Sequence, residues 1–185
     1  IAEEEVGNAV AERGESFEFS NASLVAIDPK NGQVVAMVGS HDYFDEESDG
    51  AVNVAIRPRQ PGSSIKPMAY KAMFEAGYTP NTVFYDVETD FPSDVGTYHP
   101  RNYDLEEHGP VTARTALQGS LNISAVKALY MVGVQNFLDF AERMGYSTFE
   151  DRSRFGLSLV LGGGEVTLLE HTSAYATLAN EGVRY

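Results

Sequence analysis

The chain has 185 residues, 43% of them hydrophobic, which is enough for one domain with a sizeable core. Asp and Glu outnumber Lys and Arg by 27 to 13, a net charge of −14, and a surface that acidic repels nucleic acid and anionic lipid. Cysteine is absent, which excludes thiol chemistry, disulfides and thiolate metal sites, and no apolar run approaches the length of a membrane span.

Residues 1–14 carry a weak helical pattern ending at Gly14, and residues 15–22 read as a linker or edge segment. The start, Ile1-Ala2-Glu3-Glu4-Glu5, lacks the form of a signal peptide. Leu24 to Asp28 and Val34 to Val38 read as strands. Asp28-Pro29-Lys30-Asn31-Gly32 joins them as a hairpin, with Pro setting one turn residue and Gly free to take positive φ. Both strands are nearly continuously apolar, so both faces are expected to be covered, one of them by helices. Residues 40–50 form a polar, acidic loop. Lys66 to Ala76 is expected to be a helix closed by Gly77.

Residues 78–109 show no clear periodicity, which is long for a structureless connection and leaves room for short strands and a cleft wall. Tyr85, Tyr98 and Tyr103 fall on or near this region, where they could line a groove or anchor the loop by packing, the latter favoured. Helices are expected at Pro110 to Gln118, broken by Gly119, at Ser124 to Val132, closed by Gly133, at Phe137 to Met144, and at Thr167 to Ala179. Gly162-Gly163-Gly164 lacks the lysine and hydroxyl residue of a phosphate loop and is read as a tight turn before the last helix. Glu165 is placed to cap that helix. His41, His99, His108 and His171 show no metal-ligand spacing, and His171 is read as a packed histidine. Several helices beside an antiparallel sheet give an α+β layer arrangement.

Two strings carry the chemistry. In Arg59-Gln60-Pro61-Gly62-Ser63-Ser64-Ile65-Lys66-Pro67, Ser63 stands three residues before Lys66, which on a helix places both on one face. A serine hydroxyl needs a base to act as a nucleophile, and a lysine can be that base if burial lowers its pKa. Pro61-Gly62 bends the chain just before Ser63. Pro67 has no N–H to return to the Ser63 carbonyl, a local cost of the kind found at functional sites. The spacing by itself also fits an ordinary helix start with a solvent-facing lysine; the longer string is the specific signal. The second string, Ser120-Leu121-Asn122, falls between two expected helices, where side chains can point into a cleft.

Ser63-Ser64-Ile65-Lys66, with Arg59-Gln60-Pro61-Gly62 before it, resembles the active-site motif of penicillin-binding protein transpeptidase domains. Ser120-Leu121-Asn122 resembles their second motif. The stretch Leu24 to Gly39 is similar to the strand pair that opens the domain, and Leu161 to Thr167 resembles a turn and helix start downstream of the second motif. The wording Arg-Gln-Pro-Gly-Ser-Ser is closer to the bifunctional class A members. The third motif of the family is Lys-Thr-Gly, and none of Lys30, Lys66, Lys71 and Lys127 is followed by Thr-Gly. The resemblance therefore implies residues 1–22 as a linker or remnant of a preceding region, and residues 23–185 as the N-terminal part of a transpeptidase domain. The fold it implies is penicillin-binding or serine β-lactamase-like, incomplete in this chain, with the other central strands and Lys-Thr-Gly supplied by a downstream half.

What the resemblance implies for function is acyl transfer through a serine ester, with Ser63 as nucleophile, Lys66 as base, Ser120 as proton relay and Asn122 orienting Lys66 and the substrate. The substrates are peptidoglycan stem peptides, and β-lactams acylate the same serine. No cofactor and no metal are needed. Other cell-wall synthesis proteins are further partners, and nucleic acid is not. The family also implies an upstream glycosyltransferase domain, and a location on the extracytoplasmic face of the bacterial membrane with the anchor upstream of this segment. A D,D-carboxypeptidase or serine β-lactamase, with water as acceptor, uses the same motif logic. A non-catalytic scaffold with this fold is the alternative from another class.

Overall fold

The computed structural model describes residues 1–93 and 96–185. They fall into two compact units, residues 1–59, 144–148 and 166–185, and residues 60–143 and 149–165.

The first unit opens with helix α1 (Ala2–Phe17). Glu3, Glu4 and Glu5 occupy its first turn, where carboxylates complement the positive end of the helix dipole. The helix runs through Gly14 instead of ending there. It stops at Glu18, which adopts a left-handed conformation (φ 55°), while Phe19 N–H bonds the Gly14 carbonyl. Strands β1 (Leu24–Ile27) and β2 (Val34–Val38) form the expected antiparallel hairpin. Its turn is built by side chains: Asp28 accepts from Lys30 N–H and Asn31 Nδ2, Asn31 accepts from Gln33 N–H, and Gly32 takes φ 73°.

The expectation that both strand faces are covered fails on β2. Val34, Val35 and Met37 are 47%, 71% and 38% exposed. Among the described residues β2 pairs only with β1, so its outer edge has no strand partner and part of its apolar surface is exposed. Helix α6 (Leu168–Ala179) packs on β1, and its cap is Thr167, which accepts from Glu170 N–H, not Glu165. A hydroxyl immediately before the first turn reaches the unpaired N–H groups that Glu165, two residues further out, does not. His171 is buried in this unit, as expected of a packed histidine, with its Nδ1 2.7 Å from the Tyr146 hydroxyl.

The second unit carries both motifs. A 3-10 turn (Gly62–Ile65) runs directly into α2 (Lys66–Glu75). The cost expected at Pro67 does not arise. Pro67 lies in the first turn of α2, where an N–H is not required, and the Ser63 carbonyl accepts from Lys66 N–H instead. The long irregular region holds β3 (Val83–Asp86), β4 (Phe91–Ser93), β5 (Gly96–Tyr98) and β6 (Gly109–Thr112); β3 pairs with β6 and β4 with β5, all antiparallel.

Pro110, Val111 and Thr112 were expected in a helix and are in β6 instead. Thr112 has extended geometry and caps α3 (Ala113–Gln118) by accepting from Thr115 N–H, so the helix starts only after it. Pro110 sits opposite Tyr85 in this two-stranded pair, an edge position where a missing N–H is tolerated. Packing does not anchor Tyr85 or Tyr103, which are 67% and 99% exposed; Tyr98 is half-buried. Then come α4 (Asn122–Val132) and α5 (Val134–Met144), which belongs to this unit through Arg143.

Helices α2 and α4 pack together, and α4 also packs on the 3-10 turn Leu157–Leu161. Met68, Ala69 and Met73 from α2 and Ala125, Ala128 and Leu129 from α4 are all fully buried. The alanines let the helices approach closely, and each large apolar side chain so buried contributes about 1.5–3 kcal/mol. That packing fixes the relative placement of the two motifs, since Lys66 begins one helix and Asn122 the other.

Candidate active site

The structure brings together the two motifs that the sequence separates by more than fifty residues. Lys66 is 1% exposed. Its Nζ donates to Asn122 Oδ1 at 2.6 Å, to the Ser120 carbonyl at 2.6 Å and to Ser120 Oγ at 3.2 Å. Burial pulls its pKa down from 10.5 to about 8. Burial thereby brings the neutral, proton-accepting form of Lys66 closer to neutral pH. The solvent-facing alternative for this lysine is ruled out.

Ser63 lies in the 3-10 turn, one turn before Lys66, and is exposed. Residues three apart eclipse each other in such a turn, so Ser63 and Lys66 share a face. Ser63 is not among the hydrogen-bond partners of Lys66, whose three donors all go to the second motif. A neutral Lys66 can keep only two of these three donations, and the lone pair it gains can accept from a hydroxyl.

Ser120 is held in a left-handed conformation (φ 54°), uncommon for a residue with a Cβ. The hydrogen bonds explain it. Ser120 N–H bonds the Leu117 carbonyl and Leu121 N–H bonds the Ala116 carbonyl, the closing pattern of a Schellman motif. Glycine is the usual residue at its left-handed position. Here Gly119 has φ −80° and Ser120 takes that position. The strain, on the order of 1–2 kcal/mol, places the hydroxyl and carbonyl of Ser120 on Lys66. Ser120→Gly is therefore expected to raise stability by about 1 kcal/mol while slowing acylation of Ser63. Thermal unfolding and acylation measured on one preparation check this; a loss of both would show that the hydroxyl is structural.

Four contributors were not found by sequence reasoning. Asn102, buried, accepts from the Asn122 and Ile123 N–H groups, and the Arg101 carbonyl accepts from Asn122 Nδ2 at 2.9 Å. Asp86, fully buried at the end of β3, bonds both Asn102 and Ser124. Gly162 (φ 93°) meets the nucleophile turn so closely that a Cβ there would lie 2.4 Å from Gly62 N. The triple glycine was read only as a turn; it also lets one backbone touch another beside Ser63. Sequence offered a hint for Gly162 alone, because close backbone approach is a standard use of glycine.

The helix pair α2 and α4 thus presents a buried lysine held by a hydroxyl, a carbonyl and an amide, beside an exposed serine. The comparisons with known proteins give the family. The penicillin binding protein transpeptidase domain family matches residues 22–185, and the chain belongs to that family. It is 34% identical over 166 residues to penicillin-binding protein 1A of Rickettsia bellii, covering 89% of this chain and 20% of that protein. It is likewise 34% identical over 165 residues to penicillin-binding protein 1A of Neisseria meningitidis, covering 88% and 20%. The chain thus spans about one fifth of the length of the curated relatives it matches.

Among solved structures, it is similar to penicillin-binding protein 1A from Haemophilus influenzae, with a TM-score of 0.75 and 31% identity over 85% of this chain and 23% of that one. It is also similar to PonA1 of Mycobacterium tuberculosis in complex with penicillin V, with a TM-score of 0.78 and 25% identity over 100% of this chain and 50% of that one. The α+β arrangement of antiparallel strands and packed helices is the one these structures share.

Proposed function

We propose that this chain holds the nucleophile half of a serine D,D-transpeptidase that cross-links peptidoglycan stem peptides through an acyl-enzyme, and that β-lactams acylate it. The observation that carries the reading is Lys66: buried, with a pKa near 8, and bound to Ser120 and Asn122 one turn from an exposed serine.

In this mechanism neutral Lys66 takes the proton of Ser63 as Oγ adds to the penultimate D-alanine carbonyl. The Ser63 N–H, in the first turn of its helix where backbone donors lack intrahelical acceptors, stabilises the oxyanion. The carbon–nitrogen bond then breaks, and the departing D-alanine nitrogen receives its proton through Ser120. The product is a Ser63 ester. An amine of a neighbouring stem attacks that ester, forms the cross-link and returns the proton to Ser63. Asn122 holds Lys66 and bonds the substrate backbone. No step is a redox step.

The rest of the reading concerns the full-length protein and rests on the family resemblance: a glycosyltransferase domain upstream, an anchor upstream of this segment, and a position on the extracytoplasmic face among other cell-wall synthesis proteins. No helix among the described residues is long and apolar enough to cross a membrane.

The pH dependence of acylation tests the mechanism. With the Lys66 pKa near 8, the rate of β-lactam acylation in the full-length protein is expected to rise about tenfold per pH unit below pH 8 and to level off above it. A rate independent of pH between about 6 and 10 would contradict a lysine base. Stability moves in the same direction. The unfolded chain, with the ordinary lysine pKa of 10.5, holds more protons than the folded one, so this group makes stability rise with pH from about 8 to 10.5.

A further inference from the structure

We propose that Asp86 and Asn102 form a buried relay that holds the second motif against Lys66, which makes Asn102 a positioning residue for acylation; the proposal rests on the acyl-transfer reading of Ser63 and Lys66. The first turn of α4 carries N–H groups with no intrahelical acceptor. The residue before it, Leu121, supplies no side-chain cap. Caps arrive from elsewhere in the second unit. Asn102 Oδ1 accepts from Asn122 N–H at 2.8 Å and from Ile123 N–H at 3.2 Å, and Asp86 Oδ1 accepts from Ser124 N–H at 3.0 Å and Ser124 Oγ at 2.7 Å.

The two caps are locked to each other. Asn102 Nδ2 donates to Asp86 Oδ2 at 2.6 Å and to the Glu106 carbonyl at 2.9 Å. Both donors of the amide are thereby used, so its oxygen must face the helix. Asp86 is 0% exposed and Asn102 3% exposed. Lys127 of α4 donates to the carbonyls of Tyr85 and Val87, on either side of Asp86. Buried networks with every member satisfied specify one geometry.

That geometry is the geometry of the site. Asn102 holds the backbone of Asn122, and the neighbouring Arg101 carbonyl holds its side-chain Nδ2. With Nδ2 fixed there, Oδ1 of Asn122 is turned to Lys66 Nζ, 2.6 Å away. Ser120, two residues earlier, is in its strained conformation with both its oxygens on Lys66. A serine or aspartate at position 121 would cap the helix locally, yet would not tie Asn122 to anything outside the helix. The buried Asp86–Asn102 pair does both.

The test uses the natural full-length protein and a fluorescent penicillin, separating the acylation rate at saturation from the dissociation constant of the preceding complex. Asn102→Ala is expected to lower the rate about 100-fold, the scale of a misplacement near 1 Å, and to move the dissociation constant less than about threefold. A reciprocal pair guards against misfolding. Asn102→Asp sets two carboxylates against each other and Asp86→Asn sets two amides together. The double variant restores an amide–carboxylate bond and keeps acceptors facing all three N–H groups, losing only the donation to the Glu106 carbonyl.

Each single variant should be slow, and the double variant at least about tenfold faster than Asn102→Asp. An unchanged rate in folded Asn102→Ala, or failure of the double variant to recover through either unfolding or slow acylation, overturns the relay while leaving Ser63 labelled. Absence of label at Ser63 in the unsubstituted protein overturns the acyl-transfer reading and the relay with it.

Discussion

Lys66→Ala is expected to lower the rate of β-lactam acylation by at least about 100-fold, the scale of general-base loss, while Lys71→Ala is expected to leave it nearly unchanged. The two lysines lie on one helix and differ in everything that matters to proton transfer. Lys66 is 1% exposed, has a pKa near 8 and is bound by three oxygens of the second motif. Lys71 points to solvent, its side chain 37% exposed, and pairs with Glu75 at 2.8 Å. An exposed pair one helical turn apart contributes only about 0.3–0.5 kcal/mol, so losing it should be silent in the chemistry. Lys66→Met keeps the buried volume and should show the same rate loss as Lys66→Ala. Stopped-flow acylation of the folded variants decides; equal, small effects at both lysines would remove Lys66 from the mechanism.

The parts of the fold that sequence reveals are those set by neighbours in the chain. The hairpin at 24–38 is written in alternating turn chemistry, and Asp28, Asn31 and Gly32 each do what their side chains allow locally. The start of α6 is misplaced by a single residue, because Thr167 is the cap and not the first helical position. The misreadings have equally local causes. Pro110 to Thr112 looked helical because an apolar and polar mixture leads into a true helix, but pairing with β3 decides their conformation. Gly14 looked like a stop, although a glycine inside a helix costs only about 1 kcal/mol and can be carried.

The candidate site divides the same way. Ser63, Lys66, Ser120 and Asn122 were legible because each motif is a short string with fixed spacing. What brings the strings together was not. The left-handed Ser120 depends on where α3 closes, and the adjacent Gly119 drew attention to the wrong residue. Asp86 and Asn102 lie in the region without periodicity, and their role exists only once β3 and the segment before Ser120 are folded against α4. Gly162 was read by its own turn, while its contact is with Gly62, one hundred positions away in the chain. Short-range order names the candidate groups; long-range packing sets their distances.

The most direct measurement is the site of the covalent adduct. Penicillin is incubated with the full-length protein, intact mass gives the stoichiometry, and peptide mapping locates the adduct. The expected result is one adduct per chain, on Ser63 and not on the neighbouring Ser64, which also bonds the Pro61 carbonyl through its hydroxyl at 2.6 Å. Ser63→Ala should abolish the adduct without lowering the unfolding temperature appreciably, since Ser63 is exposed. An adduct on another serine, or none in a folded protein, would contradict Ser63 as the nucleophile.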